Sequence, residues 1–221
     1  MNRKENIKRS ERCLVHCELP IRREAFDGDC YRITVKGLQG GHLEEQIDKS
    51  HMNALILLMR LLFKTQTRQD QIRIVSLEAG QDPWDIPDTA EAVIVHAGPR
   101  TVEYFTEYMR QIFVGECIAC EPGLTVTAEK TEPAMLPMDR ESSRAALSIL
   151  LLSPNGEQAL TSDSAREELI YSNPGLVHTG EEKLNAVYSV CGTVPSQKRL
   201  ARARTRMLFQ IFGGTATFED L

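Results

Sequence analysis

The sequence predicts an α+β fold: a ferredoxin-like βαββαβ unit, then a partial second copy with the order α-β-β-α-β, in antiparallel sheets with helices on one face. Two observations support this prediction. Short apolar runs, several of them alternating, indicate strands, and longer segments with apolar residues at three- and four-residue spacing indicate helices between them. The apolar fraction, 42% of 221 residues, is large enough to form a core.

The first unit combines four predicted strands with two predicted helices. The strands are expected at residues 31–38, 71–78, 90–97 and 123–130, and the helices at 49–63 and 100–114. Each helix has an apolar stripe at helical spacing, Met52, Leu55, Ile56, Met59, Leu62 and Phe63 in the first and Val102, Phe105, Met109 and Phe113 in the second. Pro99 is well placed to open the second helix. The order β-α-β-β-α-β follows.

The second copy is predicted from element order alone, because the two halves share no sequence identity. Helices are expected at residues 139–152 and 196–212, a hairpin at 175–179 and 184–193, and a last strand from 216 to 221. In the last helix the residues expected to face inward are Leu200, Ala203, Met207, Leu208 and Ile211. The predicted domains are residues 21–132 and 133–221, the second truncated at its end. Residues 1–20 are expected to be a tail or the remnant of a missing catalytic domain.

Charge and hydropathy argue against nucleic-acid and membrane partners. The net charge of −5 gives no general attraction to phosphate backbones. The basic segment 198–206 lacks aromatic residues for base stacking, so we interpret it as the outer face of an amphipathic helix. The best apolar run, residues 54–63, is too short to span a bilayer, and the N-terminus lacks the apolar core of a signal peptide. We therefore expect a cytoplasmic protein.

Metal and redox chemistry find little support among the residues. Cys117 and Cys120 match C-x-x-C, but a zinc site would need a second pair of ligands. The pair also lies at the predicted end of a helix, where the dipole disfavours a thiolate. No histidine falls in an H-x-D or H-E-x-x-H pattern. We expect no metal site and no bound zinc in this chain.

The most distinctive local feature is a glycine-rich turn that ends in a histidine. A predicted strand runs into Gly40, Gly41 and His42, and an apolar helix follows. Glycines can adopt positive φ there, and an imidazole can donate or accept a hydrogen bond near neutral pH. Two interpretations remain open from these residues alone: a loop histidine on a sharp turn, or an imidazole presented for function.

Several segments together resemble the lid domain of aminoacyl-histidine dipeptidases, also called Xaa-His dipeptidases or cytosol non-specific dipeptidases, in a di-zinc peptidase superfamily. The matching segments are Ile33-Thr-Val-Lys-Gly-Leu-Gln-Gly-Gly-His42, Ile47-Asp-Lys49, Asn53-Ala54, Ile86-Pro87, Ser172-Asn173, Gly175-Leu-Val-His-Thr-Gly180 and the stretch from Val190 to Ser196. The resemblance begins near Pro20 and covers nearly all of the remaining chain.

This resemblance implies a lid that closes over a dipeptide bound to a separate zinc-bearing catalytic domain, which the chain lacks. In the complete enzyme, zinc-bound water would attack the peptide bond of an Xaa-His-type dipeptide. It also implies that His42 polarises the scissile carbonyl or stabilises the oxyanion, and that Gly41 and Asn173 contact substrate. The chain alone would then be inactive.

The chain departs from the family pattern at five positions. Leu43 replaces an expected serine after His42, Asp48 and His51 replace an expected histidine and arginine, and Asp88 and Cys191 each replace an expected arginine. Guanidinium groups hold carboxylates bidentately, so these changes affect the expected substrate contacts. A second hypothesis is a stand-alone ferredoxin-like interaction module without enzymatic activity. Both hypotheses allow a homodimer formed through exposed sheet edges.

Overall fold

The computed structural model describes residues 11–43, 51–66, 71–117, 119–158 and 170–221. Its strands are β1 (Glu11–Pro20), β2 (Asp29–Lys36), β3 (Gly41–His42), β4 (Ile72–Ala79), β5 (Asp85–Ile86), β6 (Ala90–His96), β7 (Thr125–Lys130), β8 (Gly156–Glu157), β9 (Ile170–Thr179), β10 (Lys183–Gly192) and β11 (Thr215–Asp220). Its helices are α1 (Ala54–Thr65), α2 (Val102–Cys117), α3 (Arg140–Leu152) and α4 (Pro195–Ile211).

One antiparallel sheet runs through the whole molecule. Its strand order is β11-β1-β10-β9-β4-β6-β2-β7, and β8 pairs with β9 at one side. The strands β3 and β5 form a separate two-stranded antiparallel sheet. They are not consecutive, since α1 and β4 lie between them in the chain, but for brevity we call this strand pair the hairpin. At this level the structure confirms the predicted mixture of helices with an antiparallel sheet.

The sheet divides into two half-sheets with the same strand order. In the first half-sheet (β4, β6, β2, β7), β2 lies between β6 and β7. In the second half-sheet (β9, β10, β1, β11), β1 takes that same place, between β10 and β11. In each half-sheet a helix precedes the first-named strand and another helix precedes the last, so the connections match as well.

The prediction of a tail over residues 1–20 was wrong for its described part, because residues 11–20 form a strand, and residues 1–10 lie outside the described residues. β1 pairs with β10 from Glu11↔Gly192 to Pro20↔Lys183, and its side chains Val15 and Leu19 are fully buried. The second half-sheet is therefore no partial copy, because its missing strand comes from the other end of the chain. The predicted boundary at residue 133 fails for the same reason, since residues 11–20 belong with residues 140–220.

The two half-sheets join through a short contact between β4 and β9. Only Glu78↔His178 and Ala79↔Val177 pair across it among the described residues. Thr179 reinforces the junction, because its hydroxyl accepts from the Leu77 N–H at 2.9 Å and donates to the Leu77 carbonyl at 3.1 Å. The strand β9 also begins earlier than predicted, at Ile170.

All four helices pack on one face of the sheet, where they share a single apolar core with the inward side chains of the strands. In β2 these inward residues are Tyr31, Ile33 and Val35, which alternate with outward residues. On α1, Asn53 accepts a hydrogen bond from the Leu55 N–H at 2.9 Å and so fixes the helix start. No helix in the described part of the chain is long and apolar enough to cross a bilayer.

Two predicted helix faces needed correction. The helix α1 is buried almost all round, while Phe63, predicted to face inward, is 60% exposed. On α4 the residues turned to the sheet are Ala201, Thr205 and Phe209, whereas Leu200, Met207 and Ile211 lie exposed. Both sets on α4 have helical spacing, so periodicity alone could not choose between them. The ring of Phe209 decides, because it meets Tyr188 of β10 edge to face at 6.1 Å.

Candidate functional site

The histidine singled out in the sequence lies on the small hairpin formed by β3 and β5. In this hairpin Gly41 pairs with Ile86 and His42 pairs with Asp85. The turn before it needs glycine, because Gly40 and Gly41 have φ values of 53° and 101°. A Cβ atom on Gly40 would also lie only 2.8 Å from the Cβ of Asp88. The glycines therefore fix where the imidazole is presented.

The side chain of His42 is partly exposed. No hydrogen bond or ion pair joins it to another residue in the described part of the chain. Beside Gly41 opens a groove of about 440 Å³ whose lining includes Glu78, Asp85 and Asp88. An exposed imidazole of this kind can give a proton or a hydrogen bond to a bound group.

A small apolar cluster holds the hairpin against the sheet. Leu43, Ile86 and Cys191 are buried together, and Trp84 and Tyr171 pack against them. Burial raises the pKa of the Cys191 thiol to about 11, so this thiol stays protonated and acts as an apolar side chain. The cluster ties the hairpin to β9 and β10.

An asparagine pair forms the second anchor of the hairpin. The Nδ2 of Asn53 donates to the Oδ1 of Asn173 at 3.0 Å, and the Nδ2 of Asn173 donates to the carbonyl of Asp85 at 2.9 Å. Both side chains are almost fully buried. The amide of Asn173 thus joins the start of α1 to the strand opposite His42, and both its polar atoms are engaged inside the protein.

Sequence reasoning missed a third anchor, Glu121. This residue has no exposed surface, and its carboxylate accepts from the Gln39 N–H at 2.7 Å and from the Met52 N–H at 2.9 Å. His51 adds a bond, since its Nδ1 donates to the Gly40 carbonyl at 2.8 Å. No sequence signal marked Glu121, because its partners are backbone groups about 70 to 80 positions away, brought near only by the fold.

The remaining positions that depart from the family pattern are spread around this hairpin. Asp88 is exposed beside the turn, and Cys191 lies buried beneath the hairpin. Asp48 lies outside the described residues. The hairpin region therefore contains two imidazoles, His42 and the partly buried His51, and several carboxylates.

The Cys117 and Cys120 side chains and the basic residues of α4 make structural contacts within the protein. Cys117 ends α2 as a buried residue whose thiol pKa is raised by burial, and the Cys120 thiol donates to the Cys117 carbonyl at 3.3 Å. On α4, Lys198 and Arg202 both bind the carboxylate of Asp220. Within the described ranges, no group of three or more His, Cys, Asp or Glu residues could hold a metal ion.

Comparison with known proteins gives a structural match and no sequence match. No protein-family model matches the chain. No curated protein matches it in sequence either. The crystal structure of aminoacylhistidine dipeptidase from Vibrio alginolyticus superposes with a TM-score of 0.87 at 18% identity, over 95% of this chain and 44% of that one. At this identity the match shows a shared fold, and the chain spans less than half the length of the Vibrio protein.

A second match is far weaker. Aminobenzoyl-glutamate utilization protein from Klebsiella pneumoniae aligns over 90% of this chain with a TM-score of 0.35 at 10% identity, and carries no argument. The likeness to the Vibrio structure alone shows the fold: this chain folds like one part of a dipeptidase structure.

Proposed function

We propose that the chain is a lid domain, which covers the substrate of a zinc-dependent dipeptidase acting on Xaa-His-type dipeptides. The observation that carries the proposal is the likeness to aminoacylhistidine dipeptidase, at a TM-score of 0.87 over 95% of the chain. The resemblance in residues 33–54 supports the same class. We also infer that the half-sheets are two ferredoxin-like units, since each has the element order βαββαβ once β1 is counted with the second.

In this proposal His42 is the residue that reaches the substrate. Its imidazole would donate a hydrogen bond to the oxygen of the scissile carbonyl as negative charge develops there. Three features support the role: the ring is partly exposed, it has no partner among the described residues, and its hairpin is anchored on two sides. A fixed donor stabilises a transition state better than a mobile one, because it needs no reorganisation.

The other two residues predicted for the site, Gly41 and Asn173, have different roles. Gly41 borders the groove, so its backbone is a candidate for substrate contact. The sequence suggested substrate contact for Asn173 too, but its buried amide already bonds Asn53 and Asp85. We propose that Asn173 positions the hairpin and acts on the substrate only through His42.

The described residues do not fit a zinc site, because no three potential ligands lie together among them. We therefore assign the zinc of the complete enzyme to a catalytic domain on another part of the polypeptide or on a partner. Elemental analysis of the purified chain should accordingly find no stoichiometric zinc.

A chimera tests the lid function. Residues 11–221 would replace the matched 44% of the Vibrio enzyme, and hydrolysis of an Xaa-His dipeptide would be measured. We expect turnover, and a His42→Ala variant should lower kcat by roughly 10²–10³-fold, the cost of removing one oxyanion donor. His16→Ala is the matched control, since that histidine is also partly exposed but lies on β1, where its Nε2 bonds the Glu219 carboxylate.

Circular dichroism and zinc content establish first that each chimera is folded and loaded. A folded, zinc-loaded chimera without turnover contradicts the lid function. Equal kcat for His42→Ala and His16→Ala contradicts the role of His42 alone.

The second candidate function is a stand-alone dimerisation module. The observation that favours it is the pair of sheet edges, β7 and β11, whose outer sides pair with no other strand in the described part of the chain. Light scattering of the purified chain over a hundredfold concentration range should then show a mass that rises to that of a dimer. A constant monomer mass would argue against this candidate and leave the lid function untouched.

A further inference from the structure

A second cavity lies far from His42, where the end of α1 meets the start of α2. It holds about 450 Å³, a volume typical of small-molecule sites. The residues that line it include Lys64, Gln71, Arg100, Tyr104, Phe105 and Tyr108. Neither the Gly40 turn nor the asparagine pair contributes to it.

Two tyrosine rings form one wall of this cavity. Tyr104 and Tyr108 lie one turn apart on α2 and are 50% and 43% exposed. The buried ring of Phe105 supports Tyr104 edge to face at a centroid distance of 5.5 Å. Neighbouring exposed aromatic rings, held from behind, offer a contact surface for a planar ligand.

Two cations are held above these rings. The Nζ of Lys64 lies 4.9 Å from the ring centre of Tyr108, and the guanidinium of Arg100 lies 4.9 Å from that of Tyr104. Cation–π contacts of this kind keep a charged group in place while it stays accessible. The start of α2 adds the positive end of the helix dipole.

Positive side chains dominate the described lining of the cavity, although Glu103 lies beside Tyr104 in the first turn of α2. Among the described residues, the cavity lining contains no carboxylate. Glu107, on the same helix, is committed to Arg110 at 2.8 Å, which lowers the pKa of the Glu107 carboxyl to about 2. A local surplus of positive charge in a chain of net charge −5 selects anionic ligands.

A buried imidazole beside the cavity provides an independent observation. His96 is 5% exposed, its Nδ1 accepts from the Gly98 N–H at 3.4 Å, and its Nε2 has no partner within the described ranges. A methyl group on Gly98 would lie 2.7 Å from this Nε2 and 2.4 Å from the Oε1 of Gln71, so all three share one small space. Buried donors without partners are rare in folded proteins and often mark a site for a missing acceptor.

We propose that this cavity binds a small aromatic anion, an aryl ring that carries a phosphate or carboxylate group. The aryl ring packs against the exposed edges of Tyr104 and Tyr108, whose faces carry the two cations, and the anionic group pairs with Lys64 and Arg100. An inorganic anion can contact only the two cations, and a neutral aromatic compound can contact only the tyrosine rings. Each therefore binds more weakly than a ligand that carries both groups.

Titration of the purified chain with phenyl phosphate, followed by NMR of the tyrosine ring signals, tests this proposal. Inorganic phosphate and phenol serve as the two half-ligands. We expect saturable binding of phenyl phosphate, and affinities at least about tenfold lower for each half-ligand. Tyr104→Ala and Lys64→Met should each weaken phenyl phosphate by about tenfold, the effect of losing one aromatic or ionic contact.

Two control variants separate the site from general charge effects. Tyr104→Phe keeps the ring and should retain binding, and Arg204→Met removes an exposed cation on α4, at the other end of the sheet, without effect. Lack of saturable binding overturns the proposal. So does equal affinity for phosphate alone, or binding that survives Lys64→Met and Tyr104→Ala in folded protein.

Discussion

The two half-sheets have the same strand order but different relations to the sequence. The first half-sheet is continuous, since all its elements lie between residues 29 and 130. The second half-sheet takes β1 from residues 11–20 and its other strands from residues 170–220, with the whole first half-sheet between them. The comparison shows that a repeated structural unit need not be a continuous segment of chain.

The half-sheets also differ in what lies at their ends. The first half-sheet carries the buried His96 at the end of β6, next to the aromatic cavity. In the second half-sheet the corresponding strand β10 ends in Cys191 and Gly192, beneath the His42 hairpin. The equivalent strands β6 and β10 therefore end beside different surface features, the aromatic cavity in the first half-sheet and the His42 hairpin in the second.

The largest expected effect concerns the equivalent strands β1 and β2. Val15 and Ile33 are fully buried at the centre of their half-sheets. Val15→Asp and Ile33→Asp should each destabilise the fold by more than about 4 kcal/mol, because an unpaired charge enters the core. Urea unfolding measures both. Glu18→Gln on β1 is the control, and it should cost less than about 0.5 kcal/mol since that side chain is exposed.

If Val15→Asp left the stability unchanged while Ile33→Asp unfolded the protein, residues 11–20 would be a tail and the second half-sheet would be incomplete.

The next effect concerns the orientation of α4 on the second half-sheet. Phe209 is fully buried against Tyr188, and Met207 is 58% exposed. Phe209→Ala should cost about 3–5 kcal/mol, from lost burial and the cavity left behind. Met207→Ala should cost less than about 0.5 kcal/mol. Thermal unfolding of the two variants compares them directly, and a reversed order would place the Leu200, Met207 and Ile211 face inward.

The smallest effect is a dependence of stability on pH that belongs to the first half-sheet. Burial lowers the pKa of His96, although Asp29 and Glu103 oppose this. The unfolded chain therefore binds more protons at this position, so stability should rise with pH up to about 6.5, the ordinary histidine pKa, and fall as the solution becomes more acid. In the second half-sheet the buried shifted groups are thiols and phenols such as Cys17, whose pKa rises to about 12, and these stay neutral there. The exposed Asp220 carboxyl has a lowered pKa through its bonds to Lys198 and Arg202, so it titrates only in more acid solution.

The variant His96→Phe keeps a ring beside Phe105 and removes the titration. Its unfolding free energy should vary less between pH 5 and pH 7 than that of the parent chain. Met207→Ala, which removes no titratable group and lies exposed on α4, serves as the control and should retain the parent slope. An unchanged slope in His96→Phe would show that other groups carry the acid sensitivity.

Much of the first half-sheet could be predicted because its signals are local. Apolar alternation and helical spacing are set by neighbouring residues, and a helix between two strands leaves few antiparallel arrangements. The strand β1 was not predicted. Its buried residues Cys13, Val15, Cys17 and Leu19 do alternate, but charged residues interrupt the segment and a basic stretch precedes it. Its partners, β10 and β11, are about 160 to 210 positions away, and no local pattern encodes such a pairing.

The candidate site likewise has one part that local sequence predicts and another part that only the fold brings together. By itself the sequence determined the glycine turn with His42 and the capped apolar helix after it, since backbone sterics and helix capping act over a few residues. Only the tertiary structure decided that Asn173 and Glu121 support this hairpin, that α4 turns Phe209 inward, and that Lys64 meets Tyr108. These contacts join residues far apart in the chain, and packing against the finished sheet selects them among several sequence patterns of equal periodicity.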